Sequence, residues 1–212
     1  MRDVYHEELD SIGGTLIEMA GLVGTAIGRA TTALLDADLP IAESVISADD
    51  AVDALQDLLD ARALDLLARQ QPVAGDLRTI ITSLRMSADL ERMGDLARHI
   101  AKVARLRYPD SAIPPELRAT IEEMGRIAQD LAKKAGEVIE GRDVDAAREL
   151  PEEDDAMDAL HRKLFGALLD AKAAYSVETA IDVTLLGRYY ERFADHAVSV
   201  AKRLIFLVTG EF

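Results

Sequence analysis

The sequence predicts an all-α fold composed of two tandem, repeated three-helix bundles. Ala, Leu, Arg and Glu are abundant, alternating β-branched patterns are nearly absent, and Gly and Pro are concentrated at a few junctions. Between the junctions, apolar residues recur at the spacing of bundle helices, and this pattern occurs twice. With 49% hydrophobic residues among 212, the chain can bury a substantial core.

The junctions divide the chain into six predicted helices of about 30 residues, each roughly 45 Å long. Gly, Pro and helix-capping residues mark these junctions, which are 36–40, 69–76, 107–115, 140–143 and 173–178. Three helices precede the proline-rich segment and three follow it. We therefore predict a first bundle over residues 1–108 and a second over residues 114–212.

The third and sixth helices carry the same apolar seam. In the third helix, a 4-3-4-3-4 spacing typical of bundle packing joins Met86, Leu90, Met93, Ala97, Ile100 and Ala104. In the sixth helix, six residues each lie 100 positions beyond a counterpart and a seventh extends the seam: Leu186, Tyr190, Phe193, Ala197, Val200, Leu204 and Leu207. This agreement in phase indicates an internal duplication.

The second and fifth helices support the duplication, since DDAVDALQ (49–56) corresponds to DDAMDALH (154–161). The inward residues of this pair are Val52, Leu55 and Leu59 in one half and Met157, Leu160 and Leu164 in the other. Pro151 falls within the predicted fifth helix, where it either kinks the helix or marks its true start.

An acidic phrase is repeated on the duplicated helices, as ERMGDLA (91–97) and ERFADHA (191–197). Its Glu and Asp are four residues apart, so they share a helix face at about 6 Å between Cβ atoms. The second helix of each half adds two Asp at the same spacing. The candidate metal ligands are Asp49, Asp53, Glu91, Asp95, Asp154, Asp158, Glu191 and Asp195.

A single acidic pair at this spacing is usually only a solvated helix face. The same pair in the same phase to the seam in both halves favours a shared function. Adjacent helices would bring the pairs into a patch of oxygen ligands on the bundle surface, which suits iron, manganese, magnesium or zinc. A bound metal would relieve the repulsion between the carboxylates.

Three residues beside the acidic pairs are candidate auxiliary residues. Arg92 and Arg192 each precede an Asp by three positions, where an ion pair within the helix is the simpler interpretation and anchoring of an anion the alternative. His196 offers a nitrogen ligand, but Leu96 takes its place in the first half. A shared site therefore does not depend on His196.

A di-iron oxidase is not favoured. His161 follows Asp158 by three positions, as in the Glu-x-x-His motif of ferritin-like bundles, but Gln56 replaces it in the first half, so the corresponding helix does not repeat the motif. Phosphate-binding loops, G-x-S-x-G and H-E-x-x-H are also absent from the sequence. We therefore predict no catalytic residues and no enzymatic activity.

The charge balance excludes other classes of function. With 24 basic and 39 acidic residues, the net charge of −15 disfavours nucleic-acid binding. The chain has no cysteine, an acidic N-terminal segment, and no uncharged apolar run near the roughly 18 residues of a membrane span. We predict a cytoplasmic protein that is not inserted in the membrane.

Four phrases resemble the PhoU proteins, which are bacterial regulators of phosphate uptake, and most closely their actinobacterial branch. These phrases are QPVAGDLR (71–78), ADLERMGDLA (88–97), RYYERFADHA (188–197) and VTGE (208–211). The resemblance implies two three-helix bundles and metal clusters at the E(D)xxxD motifs, which map onto the eight carboxylates above. Ala194 departs from the glycine that is kept at Gly94, which leaves open whether the two sites are equivalent.

The resemblance also implies a function. Such proteins are non-catalytic adaptors that repress the phosphate-starvation response when phosphate is plentiful. They couple a sensor histidine kinase to the ATPase subunit of a phosphate ABC transporter, often as homodimers, so we expect this chain at the inner face of the membrane through its partners. A carboxylate-rich metal-buffering protein is the alternative, and a purely structural helical partner is a third class.

Overall fold

Six long helices form the fold in the computed structural model, which describes residues 2–170 and 175–211. Within these residues the helices are α1 (Arg2–Asp36), α2 (Leu39–Gln70), α3 (Ala74–Arg107), α4 (Arg118–Gly141), α5 (Val144–Leu169) and α6 (Val177–Thr209), with a 3-10 turn at Pro115–Leu117. The same residues contain no strand. The predicted all-α fold with two successive groups of three helices is confirmed.

The first junction of each half has the same construction. Ala37 and Arg142 adopt left-handed backbone conformations, with φ of 51° and 48°. Each is followed by an aspartate, Asp38 or Asp143, whose carboxylate accepts hydrogen bonds from backbone N–H groups in the first turn of the next helix. The chain therefore reverses direction at equivalent points, as the predicted junctions at 36–40 and 140–143 required.

The other predicted junctions also lie between helices. The break predicted at 69–76 is observed at residues 71–73, and that at 107–115 at residues 108–114. Of the last predicted junction, Tyr175 and Ser176 precede α6, whereas residues 171–174 lie outside the described residues. Pro151 lies within α5, seven residues after the helix begins, so it does not mark the start of that helix.

Four helices form the centre, and two lie outside it. Helix α1 contacts α3 and α4, and α6 also contacts both α3 and α4, so these four helices close a ring. Helix α2 packs on α1 and α3, and α5 packs on α4 and α6. The duplicated α2–α3 and α5–α6 pairs therefore lie on opposite flanks of the molecule.

The buried stripes of all six helices meet in one contiguous core. Every predicted seam residue of α3 is buried, and in α6 only Leu207 remains partly exposed. The core crosses from one half to the other, since the hydroxyl groups of Thr31 and Tyr190 are 2.8 Å apart across α1 and α6. The division at 1–108 and 114–212 stays a prediction about the chain's organisation.

By length and composition alone, helix α1 could cross a membrane. Its most apolar 18-residue stretch within Glu7–Asp36 has a mean hydropathy of 1.3. The prediction from sequence required an uncharged run, which Glu18 interrupts. Core residues of α1 such as Met19, Val23 and Ile27 are fully buried, and the helix contacts α2, α3 and α4. Packing in the bundle accounts for this apolar character.

Candidate functional site

Each acidic motif lies between an outer helix and a central one. In the first half, Asp49 of α2 lies against α3 at Gly94, where a Cβ atom would be 2.9 Å from Asp49 Oδ1. Glycine thus permits a carboxylate to lie directly against the neighbouring helix. In the second half, α5 approaches α6 at Gly187, where a Cβ atom would be 3.2 Å from both His161 Cδ2 and Leu164 Cδ1.

The first motif contains its own cation, which is Arg98. The Arg98 guanidinium donates a hydrogen bond to Asp95 Oδ1, and its Nη1 is 2.7 Å from Asp49 Oδ2. The second contact is an ion pair whose N–H is not aligned as a hydrogen bond. Arg98 therefore bridges one carboxylate of α2 and one of α3.

Burial and like charge act against this neutralisation in the first motif. Burial raises the pKa of Asp49, the Arg98 guanidinium lowers it, and the neighbouring Asp53 and Asp95 raise it further. The pKa of Glu91 is also raised, first by burial and then by Asp95. The net effect is an acidic cluster in which Asp49 has Arg98 as its one cationic partner among the described residues. Asp95, by contrast, is also paired with Arg92.

The second motif lacks such a bridge. Burial, followed by the charges of Asp195, Asp158 and Glu191, raises the pKa of Asp154 from 3.8 to about 6. Burial and Asp195 raise the pKa of Glu191, which Arg188 and His161 partly offset.

Arg188 donates to only one of the two Glu191 oxygens. Arg162 Nη1 is 3.8 Å from Asp158 Oδ2 within α5. The carboxylates of the second motif are thus paired only within their own helices, and no arginine or lysine of the described residues bridges α5 and α6 to offset the repulsion between them.

Three buried polar atoms on the α5–α6 flank have no hydrogen-bond partner. They are Asp154 Oδ1, Glu191 Oε2 and His161 Nε2. Buried polar atoms are normally paired, so an unpaired set of two carboxylate oxygens and one imidazole nitrogen requires an explanation. These are also the donor types that bind divalent transition metals.

The two motifs therefore differ as metal sites. The second motif has donor atoms that suit a divalent cation. Its carboxylate oxygens and imidazole nitrogen without hydrogen bonds belong to side chains close enough to shift one another's pKa. The first motif suits a metal ion poorly, because the Arg98 guanidinium already pairs with the carboxylates of Asp49 and Asp95. Among residues 7–170 and 175–211, no three Asp, Glu or His side chains are already assembled as a metal centre. Binding would require side-chain rotation.

The auxiliary candidates have different surroundings. Arg92 Nη1 donates to Asp95 Oδ2 at 2.7 Å, which is the ion pair within the helix favoured from sequence. Arg192 is exposed and forms no ion pair with any described residue. His196 Nδ1 is 3.0 Å from Asp89 Oδ1 on α3, and Arg203 Nε is 2.5 Å from Asp89 Oδ2. His196 thus serves the contact between the halves, not the acidic motif.

One expectation about exposure is wrong. The carboxylates were expected on the bundle surface, but Asp49 and Asp95 are buried. Asp49 is buried where α2 approaches α3 closely at Gly94. In the second motif, by contrast, Asp195 is exposed and Asp158 is partly exposed.

Sequence reasoning also missed Arg98 and set His161 aside. Both interrupt the repeat, since Val198 and Gln56 stand at the corresponding positions. A search for what the halves share cannot find residues in which they differ.

The fold and these motifs define a class: a duplicated helical bundle with one acidic motif on each flank. The sequence profile of the PhoU domain matches residues 16–104 and 121–204, once in each half. The chain belongs to the PhoU family.

Curated relatives match along the whole chain. The chain is 51% identical over 212 residues to phosphate-specific transport system accessory protein PhoU homolog 2 of Mycobacterium tuberculosis, with both chains fully covered. It is 50% identical to PhoU homolog 1 of Mycobacterium leprae, covering all of this chain and 96% of that one. These relatives confirm the resemblance to actinobacterial members.

Solved structures share the fold. The crystal structure of PhoU from Pseudomonas aeruginosa superposes with a TM-score of 0.87 at 29% identity, covering 98% of this chain and all of that one. The phosphate transport system regulatory protein PhoU from Streptococcus pneumoniae gives 0.82 at 26% identity, covering 98% of each chain. Both solved structures therefore share the overall fold of this chain.

Proposed function

We propose that this protein is a non-enzymatic accessory regulator of phosphate uptake. The observation that carries the proposal is the 51% identity over the full length of both chains to a phosphate-specific transport system accessory protein. Because the similarity extends over both halves of the chain, it favours a role equivalent to that of the relative. A single shared helical bundle would be weaker support for a common role. Its partners would be the ATPase subunit of a phosphate ABC transporter and a sensor histidine kinase, at the cytoplasmic face of the membrane.

An adaptor needs surfaces for other proteins, and the two halves expose matching apolar side chains. Leu64 and Leu169 stand near the ends of α2 and α5, and Ile81 and Ile181 near the starts of α3 and α6. These side chains are exposed at equivalent places in both halves and are therefore available for contacts with other proteins. We propose that these surfaces bind the transporter, the kinase or a second copy of the chain.

The second motif would bind a divalent metal ion within this role. Asp154 and Glu191 would hold it through their unpaired oxygens, with Asp158, Asp195 and His161 close by. A bound cation would supply a positive charge between α5 and α6, where Arg162 and Arg188 each pair only within their own helix. It would fix α5 against α6 and thereby shape the surface that a partner meets.

Phosphate status can reach such an adaptor through its partners. If the transporter changes conformation with phosphate supply, and this protein binds one conformation more tightly, its availability to the kinase changes as well. This scheme requires no phosphate site in the chain. It requires only that the two partners compete or cooperate on one adaptor.

The experiment that tests the proposal is a phosphate-starvation reporter assayed in phosphate-rich medium. A deletion strain is complemented with the wild type, with E191A/D195A, or with D145A/E149A as a matched control. The control removes two exposed acidic residues, also four apart, from α5. We expect deletion to derepress the reporter, the wild type and the control to restore repression, and E191A/D195A to fail although folded and expressed.

Other outcomes separate the parts of the proposal. Normal repression by E191A/D195A would reject the second motif as part of signalling while leaving the regulatory role intact. An unchanged reporter in the deletion strain, assayed without other family members, would reject the regulatory role. The unpaired metal-type donors of α5 and α6 favour metal buffering as the second candidate. That function predicts altered cellular metal content with no change in phosphate-regulated genes.

A further inference from the structure

The acidic motifs are repeated, but the residue three positions after the final Asp is not. It is Arg98 in the first half and Val198 in the second. The guanidinium of Arg98 is largely withdrawn from solvent, with its side chain 26% exposed, and Val198 is buried. The repeat thus places a fixed cation within one motif and a neutral side chain in the other.

The position of Arg98 is that of a bridging cation. Its guanidinium contacts Asp49 Oδ2 on the outer helix and Asp95 Oδ1 on the central helix. The two carboxylates that receive it are among the least exposed in the motif, at 4% and 12% of their side-chain area. A metal that used the same oxygens would have to displace this guanidinium.

Among the described residues, the second motif has no cation that bridges its two helices. Asp154 Oδ1 and Glu191 Oε2 are buried without hydrogen-bond partners, and so is Nε2 of His161. Asp49 Oδ2 of the first motif also lacks a hydrogen bond, but it lies 2.7 Å from Arg98 Nη1.

His161 occupies the place of Gln56, so the second half has gained a metal-type ligand where the first half has an amide. The second half has also gained Arg162 and Arg188, but each pairs with a carboxylate of its own helix, so neither joins α5 to α6 as Arg98 joins α2 to α3.

We propose that Arg98 permanently substitutes for the metal ion in the first motif, so that only the second motif binds a divalent cation. Arginine keeps its charge at every physiological pH, so this neutralisation responds neither to protons nor to metal supply. The first flank is then a fixed structural element and the second a metal-dependent one. The inference rests on the metal component of the proposed function and adds that the two flanks have different roles.

The test is Mn²⁺ binding to the full-length protein, by equilibrium dialysis with elemental analysis after chelator treatment. The wild type is compared with D154N/E191Q, with D49N/D95N, and with R98V, which gives the first half the residue found in the second. R98M, which keeps more of the arginine's volume, is the alternative if R98V fails to fold. Circular dichroism verifies the helical content of each variant.

We expect D154N/E191Q to lose nearly all bound Mn²⁺ and D49N/D95N to lose little. R98V should gain additional Mn²⁺ with at least tenfold tighter binding at the first motif, and adding D49N/D95N should abolish the gain. Mn²⁺ should also raise the melting temperature of R98V more than that of the wild type. This additional rise in melting temperature would come from Mn²⁺ bound at the first motif, whose carboxylates have lost Arg98 in R98V.

Three outcomes would assign failure to different statements. If D49N/D95N removes as much Mn²⁺ as D154N/E191Q, or if folded R98V and R98M gain none, the role of Arg98 is rejected while metal binding at the second motif stands. If R98V binds Mn²⁺ and the wild type binds none, the role of Arg98 stands and the second motif is rejected as a metal site. If none of these proteins binds Mn²⁺, both are rejected.

Discussion

Single residues decide how each motif carries its negative charge. Asp95 and Asp195 occupy equivalent positions, yet Arg92 and Arg98 both contact Asp95 whereas Asp195 is exposed. Asp95 and Asp49 are held together by Arg98, and Asp154 has no such partner. The same acidic phrase therefore has different electrostatic consequences in the two halves.

Stability should depend on pH through Asp154, whose pKa in the folded protein is raised from 3.8 to about 6. Between these values the folded state binds this proton more tightly than the unfolded state, so its contribution to the free energy of unfolding falls as pH rises from about 4 to 6. Without metal, D154N should be more stable than the wild type by about 1–2 kcal/mol at pH 7.5, a figure reduced for partial exposure. Near pH 4 the difference should vanish.

Urea titrations at pH 4.5 and 7.5 in the presence of a chelator measure this difference. D155N is the matched control, because Asp155 is the next residue of α5 and is exposed. It should change the free energy of unfolding by less than about 0.5 kcal/mol at either pH. A D154N protein no more stable than the wild type at pH 7.5 would show that ionising Asp154 costs the fold nothing.

At the scale of elements, small residues set how closely helices approach. Helices α1 and α4 are antiparallel. A Cβ atom at Gly24 would lie 3.4 Å from Ala132 Cβ, while Gly125, earlier in α4, faces Thr31, later in α1. A Cβ atom at Gly125 would lie 2.4 Å from Thr31 Cγ2. Thr31 in turn contacts Tyr190 of α6, so this approach joins three central helices.

The substitution G125A should therefore destabilise the protein. Alanine favours a helix by roughly 0.5–1 kcal/mol over glycine. Displacing Thr31 from Tyr190 should cost more, by about 1–3 kcal/mol, as overpacking of a core does. The expected net loss is about 1–2 kcal/mol in the free energy of unfolding, measured by urea titration.

Gly21 offers the matched control for this prediction. It lies in the middle of α1, is exposed, and has no atom within 4 Å of the Cβ position. G21A should stabilise the protein by roughly 0.5–1 kcal/mol, since only helix propensity changes. Equal stabilisation by G125A and G21A would mean that α1 and α4 do not approach closely at Gly125.

At the scale of the whole molecule, the periodic apolar seams could be predicted from the sequence, whereas the side-chain contacts between helices could not. The seam of Met86, Leu90 and Met93 is buried as expected, because burial of an apolar stripe is a property of one helix. Burial of Asp49 depends on a glycine about 45 positions away, and the Asp89–His196 contact joins the two halves. Such contacts require the relative placement of helices, which periodicity does not give.

The halves should unfold together, because their contacts include charged groups and not only the shared core. Helices α3 and α6 are antiparallel, with Asp89 contacting His196 and Arg203 near the middle and Arg107 contacting Asp182 near one end. Asp89 is buried, so D89N leaves the Arg203 guanidinium and the His196 imidazole with an amide in place of a carboxylate. The expected loss is about 2 kcal/mol, typical of hydrogen bonds to charged groups.

The test of joint unfolding is whether D89N lowers the stability of both halves or of only one. Hydrogen exchange measured by mass spectrometry at increasing urea reports separately on peptides from α1–α3 and α4–α6. In the wild type the two sets of midpoints should coincide, and D89N should lower both by the same amount, because neither half keeps its inner helices packed without the other. D145N is the matched control, since Asp145 is exposed on α5 and forms only a local ion pair. Midpoints that separate in D89N would mean that each three-helix bundle is stable alone, and that the shared core only docks two independent halves.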